Sequence, residues 1–122
     1  MQFKDNKAIY LQIVDRICDS ILNGSHPEGS RIPSVREYAA EVEVNANTVM
    51  RSYEYLQNHE IIFNRRGIGF FVSDEAKSII LSERRESFMA NEIDYFFKQL
   101  VSLNISAEEL AQMYNHYKEK QK

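Results

Sequence analysis

The sequence predicts a mainly α-helical fold with one small β-hairpin, and three stretches carry that prediction. Residues 32–55, IPSVREYAAEVEVNANTVMRSYEY, hold two helix-start signals with a short turn between the helices they open. Residues 61–72, IIFNRRGIGFFV, place apolar runs on either side of a centre containing two glycines, which is a hairpin signature. After residue 73 the pattern changes to long helical spacing rich in Phe and Tyr. The resulting architecture is an N-terminal winged helix-turn-helix, three helices plus a β-hairpin wing, over residues 1–73. A two-helix C-terminal hairpin over residues 74–122 follows it and serves dimerisation.

The first helix spans residues 8–23. Ile9, Ile13, Val14, Ile17, Cys18 and Ile21 recur at helical spacing and form one apolar face. Cys18 stands within this face, so its role is packing, since a free cysteine behaves as a small hydrophobe. Gly24 is placed to end the helix. SHPEGSR, with Pro27 and Gly29, is a turn segment, and Pro33 restricts the approach to helix two.

Helix two runs from Ser34 to about Val42 and buries Val35, Tyr38 and Ala39. Ser34 with Glu37 is a capping box, in which hydroxyl and carboxylate satisfy backbone N–H groups at a helix start. Helix three runs from Asn45 to about Asn58 and buries Val49, Tyr53 and Leu56. Asn45 caps it, with Val44 and Val49 placed as a hydrophobic staple. Two helices this close, joined by roughly three to four residues, have the dimensions of a helix-turn-helix.

Helix three leaves Asn47, Thr48 and Arg51 outward in its first turns, with Ala46 and Met50 nearby. Short polar groups and an arginine at a helix N-terminus suit base edges and phosphates in a major groove. A solvated helix without a function would more often carry lysine and glutamate there. In the hairpin, Arg65 and Arg66 stand at the tip, where a wing reaches a minor groove or flanking phosphates.

Composition limits the alternatives. The chain has 122 residues, 43% hydrophobic and 27% charged, values ordinary for a soluble globular protein. No apolar run approaches the ~20 residues of a membrane span, and MQFKDNK lacks the apolar core of a signal peptide. No membrane partner is therefore expected, and a single cysteine fits a reducing cytoplasm. Net charge is −3, which argues against indiscriminate coating of nucleic acid. Yet every cation from Arg31 to Arg66 is an arginine (Arg31, Arg36, Arg51, Arg65, Arg66), the side chain whose fork bonds phosphate and guanine bidentately. Glu37, Glu41, Glu43, Glu54 and Glu60 are the acidic groups that could balance them.

In the tail, Asp74 is placed to cap a long helix reaching about Val101. Ile80, Leu81, Phe88, Ile93, Phe96, Phe97 and Leu100 are its apolar residues. Leu103-Asn104-Ile105 is a short link. Ser106 with Glu109 repeats the capping box, and Ile105 with Leu110 the staple. The last helix carries Leu110, Met113, Tyr114 and Tyr117. A segment this short is thin for an independent core. The expected solution is a second copy, with Phe88, Ile93, Phe96, Phe97, Leu100, Leu110, Met113, Tyr114 and Tyr117 at the dimer interface. Folding back on the winged helix is the alternative.

These residues resemble the GntR family of bacterial transcription regulators, and the short tail looks like its YtrA-like subfamily. The resemblance covers residues 8–72. It rests on Gly29, Ile32-Pro33-Ser34-Val35-Arg36-Glu37, Ala39, Val44-Asn45-Ala46-Asn47-Thr48-Val49, Arg51, Tyr53, Leu56 and Gly67-Ile68-Gly69-Phe70-Phe71-Val72. It implies a homodimer on a palindromic operator in double-stranded DNA, often near transporter genes, and a repressor is the expected mode, although the sequence does not reveal the sign of regulation. By motif position, Ser34 and Arg36 would contact phosphate or base at the start of helix two. Asn45, Asn47, Thr48 and Arg51 would lie at the groove end of helix three, and Gly67 would form the wing tip. The family often has glycine in the turn of the helix-turn-helix and again after helix three, where this chain has Glu43 and Glu60. A glutamate at positive φ costs roughly 1 kcal/mol, so either these turns adopt another geometry or helix three ends differently at Asn58 or His59.

An enzyme is not expected, and neither a cofactor nor a metal is. His26, His59 and His116 lie far apart without metal-ligand spacing, and there is no phosphate-binding glycine loop. The competing reading is a winged-helix protein-interaction module that dimerises through its tail without reading DNA, which the acidic balance favours. The sequence does not identify a small-molecule effector.

Overall fold

The computed structural model describes residues 7–122. Its elements are α1 (Ile9–Leu22), α2 (Val35–Val42), α3 (Ala46–Asn58), β1 (Ile62–Arg65), β2 (Gly69–Val72), α4 (Ala76–Asn91), α5 (Ile93–Ser102) and α6 (Ala107–Lys120). The chain divides into two compact units, the first ending at Ser82 and the second running from Glu83 to Lys122.

In the first unit, Ile13, Val14, Ile17, Cys18 and Ile21 line the buried face of α1. Ile9, at the start of that stripe, is 46% exposed and stands outside the core. Helix α2 contributes Tyr38, Ala39 and Val42, and α3 contributes Val49, Tyr53 and Leu56. The strands pair antiparallel, with Ile62 opposite Val72, Phe63 opposite Phe71, Asn64 opposite Phe70 and Arg65 opposite Gly69. Alternation then turns Ile62 and Val72 into the core, while the Phe63–Phe71 pair faces outward. Residues 30–32 lie along β2: Ile32 N–H donates to the Phe70 carbonyl (3.0 Å), and Val72 N–H donates to the Ser30 carbonyl (2.9 Å). The wing therefore gains a short third edge at Arg31, which bridges Phe71.

The first unit extends past the expected boundary at residue 73, because Ala76 and Ile80 at the start of α4 are buried in its core. The start of α4 also differs from expectation. The carboxylate that meets it is Glu28, which accepts from Lys77 N–H (3.2 Å), rather than Asp74. A capping partner 49 residues away is set by tertiary contact, so local spacing does not show it.

In the second unit the long helix expected to reach Val101 is broken at Glu92, whose φ of −120° departs from helical geometry. The tail thus has three helical segments where two were expected. No Gly or Pro marks the break, so the apolar spacing runs through it without a signal. Asn104 at φ 57° forms the link to α6, a conformation asparagine tolerates better than most residues. Ser106 accepts from Glu109 N–H (3.1 Å), the first half of a capping box. Helices α5 and α6 bury no residue. Phe88, Phe96, Phe97, Met113, Tyr114 and Tyr117 are exposed, while Ile93, Leu100 and Leu110 are half-buried. No described helix is long and apolar enough to cross a membrane.

Candidate nucleic-acid interface

Helix α2 opens with the complete capping box. Ser34 Oγ accepts from Glu37 N–H (3.1 Å), and Glu37 Oε1 accepts from Ser34 N–H (3.0 Å). The Ser34 backbone N–H bonded to this carboxylate, together with the adjacent Ser34 hydroxyl, holds the Glu37 carboxyl below its ordinary value of 4.5, against a smaller upward push from burial, with Arg31 adding a favourable charge. Two residues after the cap, Arg36 projects into solvent from the first turn of α2.

The turn between α2 and α3 settles the geometry left open at Glu43. Its φ and ψ are 57° and 49°, so a glutamate occupies the left-handed conformation that favours glycine. Val44 N–H donates to the Ala39 carbonyl (3.0 Å), closing the helix end and aiming the chain into α3. Glu60 does the same after α3, at φ 61°. Both turns keep the usual shape and carry the strain.

Asn45 caps α3 through its side-chain carbonyl, which accepts from Asn47 N–H (2.7 Å). That oxygen already serves the cap, which leaves the Asn45 amide hydrogens and its second lone pair to meet a ligand. Ala46, Asn47, Met50 and Arg51 are exposed over the first turns, and Thr48 is half-buried beside them. Thr48, Asn47 and Arg51 line a shallow groove of about 340 Å³ with Ala8, Ile9 and Tyr10 from the start of α1.

Two hydrogen bonds from the buried face of α3 fix this helix. Ser52, fully buried, donates to the Tyr10 carbonyl (2.8 Å) and also contacts the Thr48 carbonyl (3.2 Å). Tyr53, 1% exposed, donates to the Pro33 carbonyl (2.6 Å) at the entry to α2. Its ring meets Phe70 of β2 edge-on at 5.1 Å and Tyr38 of α2 at 6.3 Å. One side chain thus braces α3 against α2 and the wing, and burial pushes its phenol pKa well above the ordinary value of 10.0.

At the wing, Arg65 is the last paired residue of β1, opposite Gly69, and Arg66, Gly67 and Ile68 form the loop. Ile68 N–H donates to the Arg65 carbonyl (2.9 Å), and Gly67 supplies the positive φ of 80° that this tight loop needs. Of the two arginines expected at the tip, Arg66 is there. Arg65 folds back instead, its guanidinium 4.9 Å from the Phe71 ring and 5.8 Å from Phe63, which themselves stack at 5.8 Å. Arg31, which the sequence did not single out as a contact residue, joins this face. A Cβ on Gly69 would come within 2.9 Å of Arg31 Nε, so the glycine makes room for that side chain to lie along the wing.

None of Arg31, Arg36, Arg51, Arg65 and Arg66 has a carboxylate within ion-pair distance among the described residues. The five glutamates that could have balanced them do not pair with them. Five guanidinium groups are therefore displayed without a carboxylate ion pair among the described residues, on α2, α3, the wing and the segment before α2, inside a protein of net negative charge. Tyr10 of α1 and Ser52 of α3 are brought together across elements distant in sequence. A serine on the apolar face of helix three, three residues past Val49, is the one local signal that could have revealed Ser52.

A capped two-helix pair with a tight left-handed turn, followed by a glycine-tipped hairpin, defines the winged helix-turn-helix class. Residues 9–72 match the sequence model of the gntR family of bacterial regulatory proteins. The chain is 35% identical over 109 residues to the uncharacterized HTH-type transcriptional regulator YhcF of Bacillus subtilis (strain 168), spanning 89% of this chain and 88% of that one. To the HTH-type transcriptional repressor YtrA of the same organism it is 35% identical over 78 residues, 64% of this chain and 60% of that one. The crystal structure of a GntR-family transcriptional regulator from Bacteroides thetaiotaomicron matches with a TM-score of 0.80 at 57% identity, covering 94% of this chain and 100% of the other. The chain belongs to the GntR family and is a DNA-binding transcription regulator of YtrA-like type.

Proposed function

We propose that the protein acts as a homodimeric repressor on a palindromic operator. In this reading Asn47, Thr48 and Arg51 of α3 meet base edges in the major groove, with the Asn45 amide beside them. Ser34 and Arg36 hold phosphates at the start of α2, and Arg65, Arg66 and Gly67 form the wing contact. The observation that carries it is the set of arginines on these elements that make no ion pair with a carboxylate among the described residues. An unneutralised guanidinium keeps its full attraction for phosphate, whereas one already paired would have to give up its carboxylate first.

The dimer rests on the second unit. Helices α5 and α6 bury nothing, while Phe96, Phe97, Tyr114 and Tyr117 stay exposed. Apolar surface on that scale is stable in water when a second copy covers it. Repression is favoured by the named activity of YtrA, and the family resemblance favours transporter genes as targets.

Selection of bound duplexes from a random library tests the reading. It should return a two-fold symmetric site whose half-sites repeat near one helical turn. Arg36→Ala and Arg51→Ala should each weaken binding to that site by about 1–3 kcal/mol. The joint Arg65→Ala, Arg66→Ala variant should weaken all sequences more evenly. Affinity should fall with salt at a log–log slope of about −0.9 per neutralised phosphate. Unchanged affinity in all these variants would leave the protein-interaction reading in its place. Phe96→Glu with Phe97→Glu should give a monomer by sedimentation, and a persistent dimer would remove the tail from the interface.

A further inference from the structure

We propose that Tyr10, on the first turn of α1, is a positioning residue that holds Arg51 in its reading conformation and thereby makes α1 part of the recognition apparatus. The inference rests on the proposed DNA contact of Arg51. Its guanidinium carbon lies 3.9 Å from the centroid of the Tyr10 ring, which is stacking distance for a cation on an aromatic face. That contact covers the guanidinium at its central carbon and is not a hydrogen bond from its N–H donors. Arg51 makes no ion pair among the described residues, so those donors are not engaged by a carboxylate.

The ring is itself held in place. Ser52, the residue after Arg51, donates from a fully buried position to the Tyr10 carbonyl at 2.8 Å. Consecutive residues of α3 therefore grip one residue of α1, Ser52 from the core side and Arg51 from the solvent side. Asn47 and Thr48 line the same groove as Tyr10, so the ring forms a wall of the surface on which bases would be read. An exposed arginine otherwise samples many rotamers, and ordering it on binding opposes association. Stacking on a fixed ring orders it beforehand. Tyr10 makes no side-chain hydrogen bond among the described residues, so the ring and not the phenol oxygen is the working part.

The test is a double-mutant cycle in the full-length protein, read on the duplex recovered by selection and on a duplex of scrambled sequence. Tyr10→Leu should weaken binding to the selected duplex about three- to thirtyfold and to the scrambled duplex by less than about twofold. Tyr10→Phe should bind both as the parent does. In an Arg51→Ala background, Tyr10→Leu should have no further effect. An equal loss from Tyr10→Leu with and without Arg51 would overturn the inference while leaving Arg51 as a DNA contact. So would a full loss in Tyr10→Phe, or parental affinity in Tyr10→Leu. If Arg51→Ala alone binds both duplexes as the parent does, the proposed DNA contact of Arg51 fails and the inference falls with it. Matching thermal midpoints for Tyr10→Phe and the parent keep the ring argument testable should Tyr10→Leu unfold.

Discussion

Glu43→Gly should make this protein more stable, although it removes a side chain from the heart of the helix-turn-helix. Glu43 sits at φ 57°, ψ 49°, where an L-residue brings its Cβ too close to the following carbonyl oxygen. That crowding costs roughly 1–2 kcal/mol and disappears with glycine. Glycine's greater freedom in the unfolded chain returns about 0.4–1 kcal/mol of the gain. Glu43 is exposed and makes no side-chain hydrogen bond or ion pair among the described residues, so nothing else is lost. The net expectation is about 0.5–1 kcal/mol of stabilisation, or a rise of about 2–8 °C in Tm for a unit of this size. Thermal unfolding followed by circular dichroism, at one protein concentration and in high salt to screen charge, measures it. Glu43→Ala is the control, since it deletes the carboxylate but keeps the positive φ, and it should gain nothing. A rise in Glu43→Ala equal to that in Glu43→Gly would show that charge rather than backbone strain was relieved. No rise in Glu43→Gly would refute the strain argument.

Three further outcomes follow from the core and the caps. Leu56→Ala, at a site with no exposure, should cost about 2–5 kcal/mol in urea unfolding, and a cost below about 1 kcal/mol would mean the site collapses around the smaller residue. Tyr53→Phe removes the donor to the Pro33 carbonyl and should cost about 1–3 kcal/mol at neutral pH. Because burial raises the Tyr53 phenol in the folded protein, the stability it contributes is complete below pH 10 and is lost as pH rises further, so Tyr53→Phe should lose less stability between neutral and alkaline pH than the parent. For Glu37 the sign is opposite. Its folded value is lowered, so its contribution is present above about 4.5 and lost as pH falls through the folded value. Glu37→Gln, which keeps an acceptor for Ser34 N–H, should flatten the acid side of a Tm-versus-pH profile, and an unchanged acid slope would detach the cap from that titration.

Much of the fold was legible because its signals are local. Ser34 with Glu37, and Asn45 at the start of α3, declare helix starts through side chains that reach only a turn along their own chain. The apolar stripes of α1, α2 and α3 and the two apolar runs of the wing declare which faces are buried, since helix and strand each repeat with a fixed period. The candidate contact residues Asn47, Thr48 and Arg51 could be picked out by the same phase, and Arg66 by its place beside the hairpin glycine. The break at Glu92 was not legible, because no residue type announces it, and the cap of α4 by Glu28 was not, because its partner is distant in sequence.

What the linear chain left open were the relations between elements. Whether Glu43 and Glu60 would bend the family's turns or accept their strain depends on the packing of α2, α3 and β1, which holds the chain on one path at a cost of roughly 1 kcal/mol each. The division of Arg65 and Arg66 into a residue lying on Phe63 and Phe71 and a residue at the tip follows from strand register. The stack of Arg51 on Tyr10 depends on the packing of α1 against α3, to which the Ser52 hydrogen bond contributes. Periodicity assigns a residue to a face of its own element, but which foreign side chain meets that face is decided by close packing of the folded core.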